Sequence, residues 1–174
     1  MKIICFGDSN TYGYDPRGYF GGRYDHPWPE ILAGKLGCSV INWGGNGQEI
    51  PTRVVDFPVD ADILIVMLGT NDLLQGTSPE MVSSRMERFL ECLNQEKILL
   101  IAPPTMKFGE WVQDQELIDD SIALAKHYQT LTKRLGVRYA DAGQWNVPIA
   151  YDGVHLTMEG HRVFAESVYK ELID

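Results

Sequence analysis

Cysteine is scarce in this chain. Its 174 residues include three, Cys5, Cys38 and Cys92. An odd and widely spaced set builds neither a disulfide framework nor a metal-ligand pair, and a reducing cytoplasm suits it best. Positive charge is also in short supply: 15 lysines and arginines stand against 24 aspartates and glutamates, a net charge of −9. Nucleic acid and anionic membrane surfaces both select basic patches, so neither is expected as a partner. Long apolar runs are missing. The longest, residues 63–68 and 98–102, fall far short of the roughly 20 residues that cross a bilayer. The first residues carry one lysine, a short apolar run and no cleavage site, so no signal peptide is expected. The four histidines form no H-E-x-x-H or other zinc pattern.

What is present is an ordinary globular mix, 44% hydrophobic and 22% charged. The length suits one domain over residues 1–174 with a substantial core. Residues 2–6, 39–42, 62–68, 97–102 and 137–140 read as strands. Their apolarity is continuous rather than alternating, as in a parallel sheet covered on both faces. Helical patterns lie between them. One spans about 29–36 and stops at Gly37. A second opens at Thr77-Ser78-Pro79-Glu80, where Thr77 and Glu80 fit a capping box. A third spans about 114–135, with Leu117, Leu124, Tyr128, Leu131 and Leu135 on one stripe, and Gly136 ends it. A fourth opens near Thr157 and turns Phe164, Val168 and Leu172 inward. This alternation predicts a three-layer α/β/α sandwich on a five-stranded parallel sheet.

Ligands of such sheets bind beyond the carboxyl ends of the strands, which singles out the loops there. The first reads Gly7-Asp8-Ser9-Asn10, three small polar residues directly after an apolar run. A turn would explain it, and so would a nucleophile held at a strand tip. The second reads Asn42-Trp43-Gly44-Gly45-Asn46-Gly47-Gln48, whose glycines bring backbone N–H groups close to whatever lies above the sheet. A dinucleotide-binding G-x-G-x-x-G fails there, because Ile50 stands at its third glycine. The third holds Asn71, a turn residue or a neutral donor suited to an oxyanion. The last holds Asp152 and His155, three apart, a spacing that suits a helix cap or an acid orienting an imidazole. Together these loops supply a nucleophile, a base, an orienting acid and oxyanion donors, the parts of acyl transfer. Ser9 is therefore read as the nucleophile. Trp43, Trp111 and Trp145 stand on the same rims and are expected to line a small substrate pocket.

Four blocks in order carry a resemblance to the SGNH hydrolases, also called the GDSL esterase/lipase family: "FGDSNTYG", "INWGGNGQ", "MLGTND" and "DGVHLT". The chain looks most like the small bacterial arylesterases and acyltransferases of that family. The resemblance implies a flavodoxin-like fold, Ser9, Asp152 and His155 as catalytic residues, and an oxyanion hole from the N–H groups of Ser9 and Gly47 and the amide of Asn71. It implies a small ester as substrate, acyl release to water or another alcohol, and no cofactor. Asn10 stands where the name-giving motif has leucine, a change to which no catalytic weight is attached.

Asp8, Asp72 and Asp141 are rival acids. Asp8 is expected to bond its local backbone, Asp72 to brace its own loop, and Asp141 to cap or line the cleft. His26, His127 and His161 are rival bases, with surface or packing roles expected for His127 and His161. Cys5 is expected to be buried and inert. The aromatic, irregular stretch 14–28 suits a lid or a contact surface for a second copy. The other functional readings are a carbohydrate acetylesterase of the same family and a non-catalytic flavodoxin-like binding module.

Overall fold

The computed structural model describes residues 1–18 and 21–173. The chain opens with strand β1 (Lys2–Gly7) and a one-turn helix α1 (Ser9–Tyr12). Two-residue strands β2 (Tyr14–Asp15) and β3 (Gly22–Arg23) then pair antiparallel. Helix α2 (Trp28–Leu36), strands β4 (Ser39–Gly44) and β5 (Ile63–Met67), and helices α3 (Thr70–Leu74) and α4 (Pro79–Glu91) follow. Strand β6 (Ile98–Ala102), helix α5 (Gln115–Leu135), strand β7 (Arg138–Asp141), a 3-10 turn (Ala142–Gln144) and helix α6 (Met158–Ile173) complete the order.

Five strands form one parallel sheet in the order β4-β1-β5-β6-β7. Successive side chains on a strand face opposite ways, so an all-apolar strand needs cover on both sides. Ile4, Phe6, Leu64, Val66 and Leu100 join Met86 and Phe89 of α4 and Leu124 and Tyr128 of α5 in one core. Ile3, Cys5, Ile65, Met67 and Leu99 join Trp28 and Leu32 of α2 and Phe164 and Val168 of α6 in the other. This is the expected α/β/α sandwich. The chain steps outward from β1 to β4 and then returns to β5 on the far side of β1. The carboxyl ends of β4, β1 and β5 therefore flank a topological switch point, the usual place for a ligand crevice.

Helix α5 buries Leu124, Tyr128 and Leu131, with Leu117 and Leu135 half-buried at its ends, and it stops at Gly136 as expected. One cap differs. Ser78, not Thr77, precedes the first residue of α4, and its hydroxyl accepts from the Met81 N–H. Pro79 explains this: it takes the first helical position, where its missing N–H costs nothing, so the residue before it must be the cap. Within the stretch 14–28 lies the β2–β3 pair, while Tyr19 and Phe20 lie outside the described residues. No helix among the described residues is long and apolar enough to cross a membrane.

Candidate active site

Ser9 is the first residue of α1, placed at the end of the inner strand β1. Asp8 caps that helix by accepting the Asn10 N–H at 2.9 Å. Short as it is, α1 is held from below: a Cβ on Gly44 would lie 2.0 Å from the Tyr12 nitrogen, so β4 approaches α1 as only glycine permits. Ser9 is 7% exposed. Its Oγ lies 3.0 Å from His155 Nε2. On the other side of the ring, Nδ1 lies 2.7 Å from Asp152 Oδ2.

Burial alone would raise the Asp152 carboxyl. The His155 ring and the backbone N–H groups of His155 and Val154 outweigh it and hold the acid below the usual carboxylate range. An ionised carboxylate only accepts, so Nδ1 carries the proton of a neutral ring. The Nε2 lone pair is then left facing the Ser9 hydroxyl. His155 is itself enclosed. The Tyr14 ring centre lies 4.6 Å from the imidazole centre, and the Trp111 ring centre, nearly perpendicular to it, 4.9 Å away.

The loop carrying this pair is fastened to the loop after β6. Lys107 N–H donates to the Gly153 carbonyl, Glu110 N–H to Tyr151, and Trp111 N–H to Asp152, all at 3.0–3.1 Å. The fit is close enough that a Cβ on Gly109 would meet the Asp152–Gly153 peptide at 2.4 Å. The Tyr151 hydroxyl adds a bond to the Pro16 carbonyl at 2.7 Å.

Asn71 lies in α3, directly beyond β5, and one N–H of its amide donates to the Gln48 carbonyl at 3.1 Å. Gly47 is exposed and left-handed, with φ of +69°. It occupies a turn closed by Gln48 N–H on the Gly45 carbonyl. Asp72 ties the same two segments. It accepts the Ile50 N–H at 3.1 Å and pairs with Arg85 at 2.9 Å. It therefore braces the loop after β4 rather than its own, because the α3 helix turns its carboxylate across toward residues 48–50.

The three tryptophans divide. Trp111 reaches His155. Trp43 packs on Phe57, which in turn packs on Phe6 in the core. Trp145 stands edge-on to Phe164 at 5.0 Å and faces a groove of about 930 Å³ between α2 and α6, which contains neither Ser9 nor His155. Trp43 and Trp145 are thus not brought to the Ser9–His155 pair, because each ring turns toward an aromatic core neighbour. Tyr14, close against His155, stood out in the sequence only as part of an aromatic stretch. The rival groups go elsewhere. Asp8 and Asp141 accept local backbone N–H groups. His127 faces Glu80 at the surface, and His26 is exposed. His161 is buried under the Tyr24 ring and accepts the Trp28 N–H. Burial raises the Cys5 thiol well above its ordinary range, which keeps it protonated.

The family model of the GDSL-like lipase/acylhydrolases matches residues 5–163. The chain belongs to that family. It is similar to an arylesterase of Vibrio mimicus, 23% identical over 99% of this chain and 88% of the relative. Among solved structures, a candidate arylesterase of Agrobacterium tumefaciens superposes with a TM-score of 0.86 at 27% identity, covering 99% of this chain and 98% of the other. A carbohydrate acetylesterase family member of Sinorhizobium meliloti gives 0.84 at 23%, covering 98% and 96%. The GDSL-family chain is a carboxylic ester hydrolase, and the reading as a non-catalytic binding module falls away.

Proposed function

We propose that this esterase hydrolyses or transfers short acyl groups of small esters through a covalent acyl-enzyme on Ser9. The relay from Asp152 Oδ2 through both ring nitrogens of His155 to Ser9 Oγ carries this reading. Ser9 Oγ attacks the ester carbonyl carbon while its proton passes to His155 Nε2. The negative charge moves to the carbonyl oxygen, which the Gly47 and Ser9 N–H groups and the second Asn71 amide N–H receive. The carbon–oxygen bond to the alcohol then breaks, and the alcohol leaves with the Nε2 proton. Water attacks the acyl-serine, gives a proton to His155, and releases the carboxylic acid as that proton returns to Ser9. An alcohol in place of water gives a new ester.

Tyr14 and Trp111, both within 5 Å of the imidazole ring centre, narrow the space around it and support short acyl groups. The proposed setting is the cytoplasm, without a nucleic-acid or membrane partner.

The test is labelling by a fluorophosphonate, which reacts with an activated serine. Ser9 should be the labelled residue, and Ser9→Ala should fold yet lose labelling and ester hydrolysis. Full activity in a folded Ser9→Ala would overturn the proposal. A panel of p-nitrophenyl esters from acetyl to palmitoyl, with acetylated sugars beside it, then fixes the substrate class. kcat/KM should fall steadily beyond butyryl, and a maximum at octanoyl or longer would reject the short-chain reading.

A further inference from the structure

Asn10 follows Ser9 in α1, and its side chain reaches the other end of the sequence. Its Nδ2 donates to the Val154 carbonyl at 3.1 Å, and its Oδ1 accepts the Leu156 N–H at 2.9 Å. Val154 and Leu156 are the two neighbours of His155. One planar amide therefore spans the backbone on both sides of the imidazole. Its orientation is fixed by chemistry, because a carbonyl needs the NH₂ and an N–H needs the oxygen.

Asn10 is 3% exposed, and its backbone N–H is itself held by the Asp8 carboxylate. Asp152 works differently. Its bonds to Val154, His155 and the ring all lie inside one loop. They set how the ring points within the loop and say nothing of where the loop sits against Ser9. Among the described residues, three hydrogen bonds join α1 to this loop: the Ser9–His155 bond and the two from Asn10.

We propose that Asn10 is a positioning residue that sets the distance between Ser9 Oγ and His155 Nε2. It rests on the reading of Ser9 as nucleophile. Proton transfer demands that the two atoms stay within hydrogen-bond reach, and a displacement of about 1 Å in such a site costs about 10²-fold in rate. The leucine of the family's name-giving motif has neither donor nor acceptor. This chain thus fastens its histidine loop with a contact that leucine cannot make.

Asn10→Ala and Asn10→Asp in the full chain test this. The readouts are the second-order rate of fluorophosphonate labelling at Ser9, kcat and KM for p-nitrophenyl acetate, circular dichroism, and the downfield proton resonance of the His155 Nδ1–H. Folded Asn10→Ala should label and turn over about 10–10²-fold more slowly, with KM within about threefold of the parent. Its downfield resonance should persist, since the Asp152–His155 bond lies within one loop. Labelling at the parental rate would overturn the inference. So would joint loss of labelling and resonance, which would mean that Asn10 only keeps the loop folded. Should Asn10→Ala fail to fold, Asn10→Asp decides. It keeps the shape and the bond from Leu156 N–H but sets an oxygen against the Val154 carbonyl. Slowed labelling supports the role, and parental labelling overturns it. A parent unlabelled at Ser9 would overturn the nucleophile reading. A labelled parent beside equally fast Asn10 variants would overturn the Asn10 role alone.

Discussion

Asp152 holds His155 at two levels: Oδ2 lies 2.7 Å from the ring Nδ1, and Oδ1 accepts the backbone N–H of the same residue at 2.9 Å. Oδ1 also accepts the Val154 N–H at 2.9 Å. In Asp152→Asn, the atom facing these two N–H groups must remain an oxygen. The new NH₂ is then forced toward Nδ1, which becomes an acceptor and sends the ring proton to Nε2. That tautomer cannot take the Ser9 proton. We expect kcat to fall about 10⁴-fold with the fold intact. Asp141→Asn, at a residue that accepts only from its neighbours Gly143 N–H and Gln144 Nε2, should stay close to the parent. Equal kcat values for the two variants would reject Asp152 as the orienting acid.

Asn71→Ala removes a donor whose other N–H is anchored on Gln48. The expected loss is about 10²–10³-fold in kcat with a smaller change in KM. Steady-state kinetics on one p-nitrophenyl ester measure it. An effect confined to KM would assign Asn71 to ground-state binding.

Asp8 is 1% exposed, and burial pushes its carboxyl from an ordinary 3.8 up to about 6, against the pull of the Asn10 N–H, His155 and Thr70. A raised acid binds more protons in the fold than in the unfolded chain, so its contribution to stability falls as pH rises from about 4 to 6. The full penalty, about 3 kcal/mol, is present above that window and absent below it. Asp8→Asn removes the titration. Urea unfolding should show the variant gaining on the parent by about that amount between pH 3.5 and 6.5. A constant difference across this range would contradict the shift.

Gly109→Ala places a methyl 2.4 Å from the Asp152–Gly153 peptide, where backbone must move. A loss of about 1–3 kcal/mol is expected, with a fall in kcat even where the variant is fully folded. Gly34→Ala is the contrast. Gly34 lies within α2 with nothing within 4 Å of the new Cβ, and a gain of about 0.5–1 kcal/mol is expected. Thermal unfolding of both against the parent checks the pair, and unchanged kcat in Gly109→Ala would show that the two loops are not coupled at the site.

The inner strands β1, β5 and β6 were readable because burial on both faces leaves a continuous apolar run, and α5 because a 21-residue helix repeats its stripe several times. Helices α1 and α3, at four and five residues, are too short to show any period. Ser9, Asn71, Asp152 and His155 were legible as candidates because Ser9 and Asn71 closely follow strands and the other two stand three apart just before α6. Trp43 and Trp145 were misplaced, since a ring's direction depends on the path of its loop, whereas Trp111 does reach His155. Asn10 escaped for the same reason: its partners Val154 and Leu156 are apolar residues whose contribution here is backbone, which a sequence does not display.

Ser9 and His155 are 146 positions apart. The serine is made well before its imidazole, which belongs to the segment just ahead of α6. On the proposed mechanism, a nascent chain carries the hydroxyl long before its base exists, and Ser9 should stay unreactive toward esters while β4 to β7 are laid down. Labelling of Ser9 during refolding should then act as a clock that starts only when α1 meets the loop that carries His155.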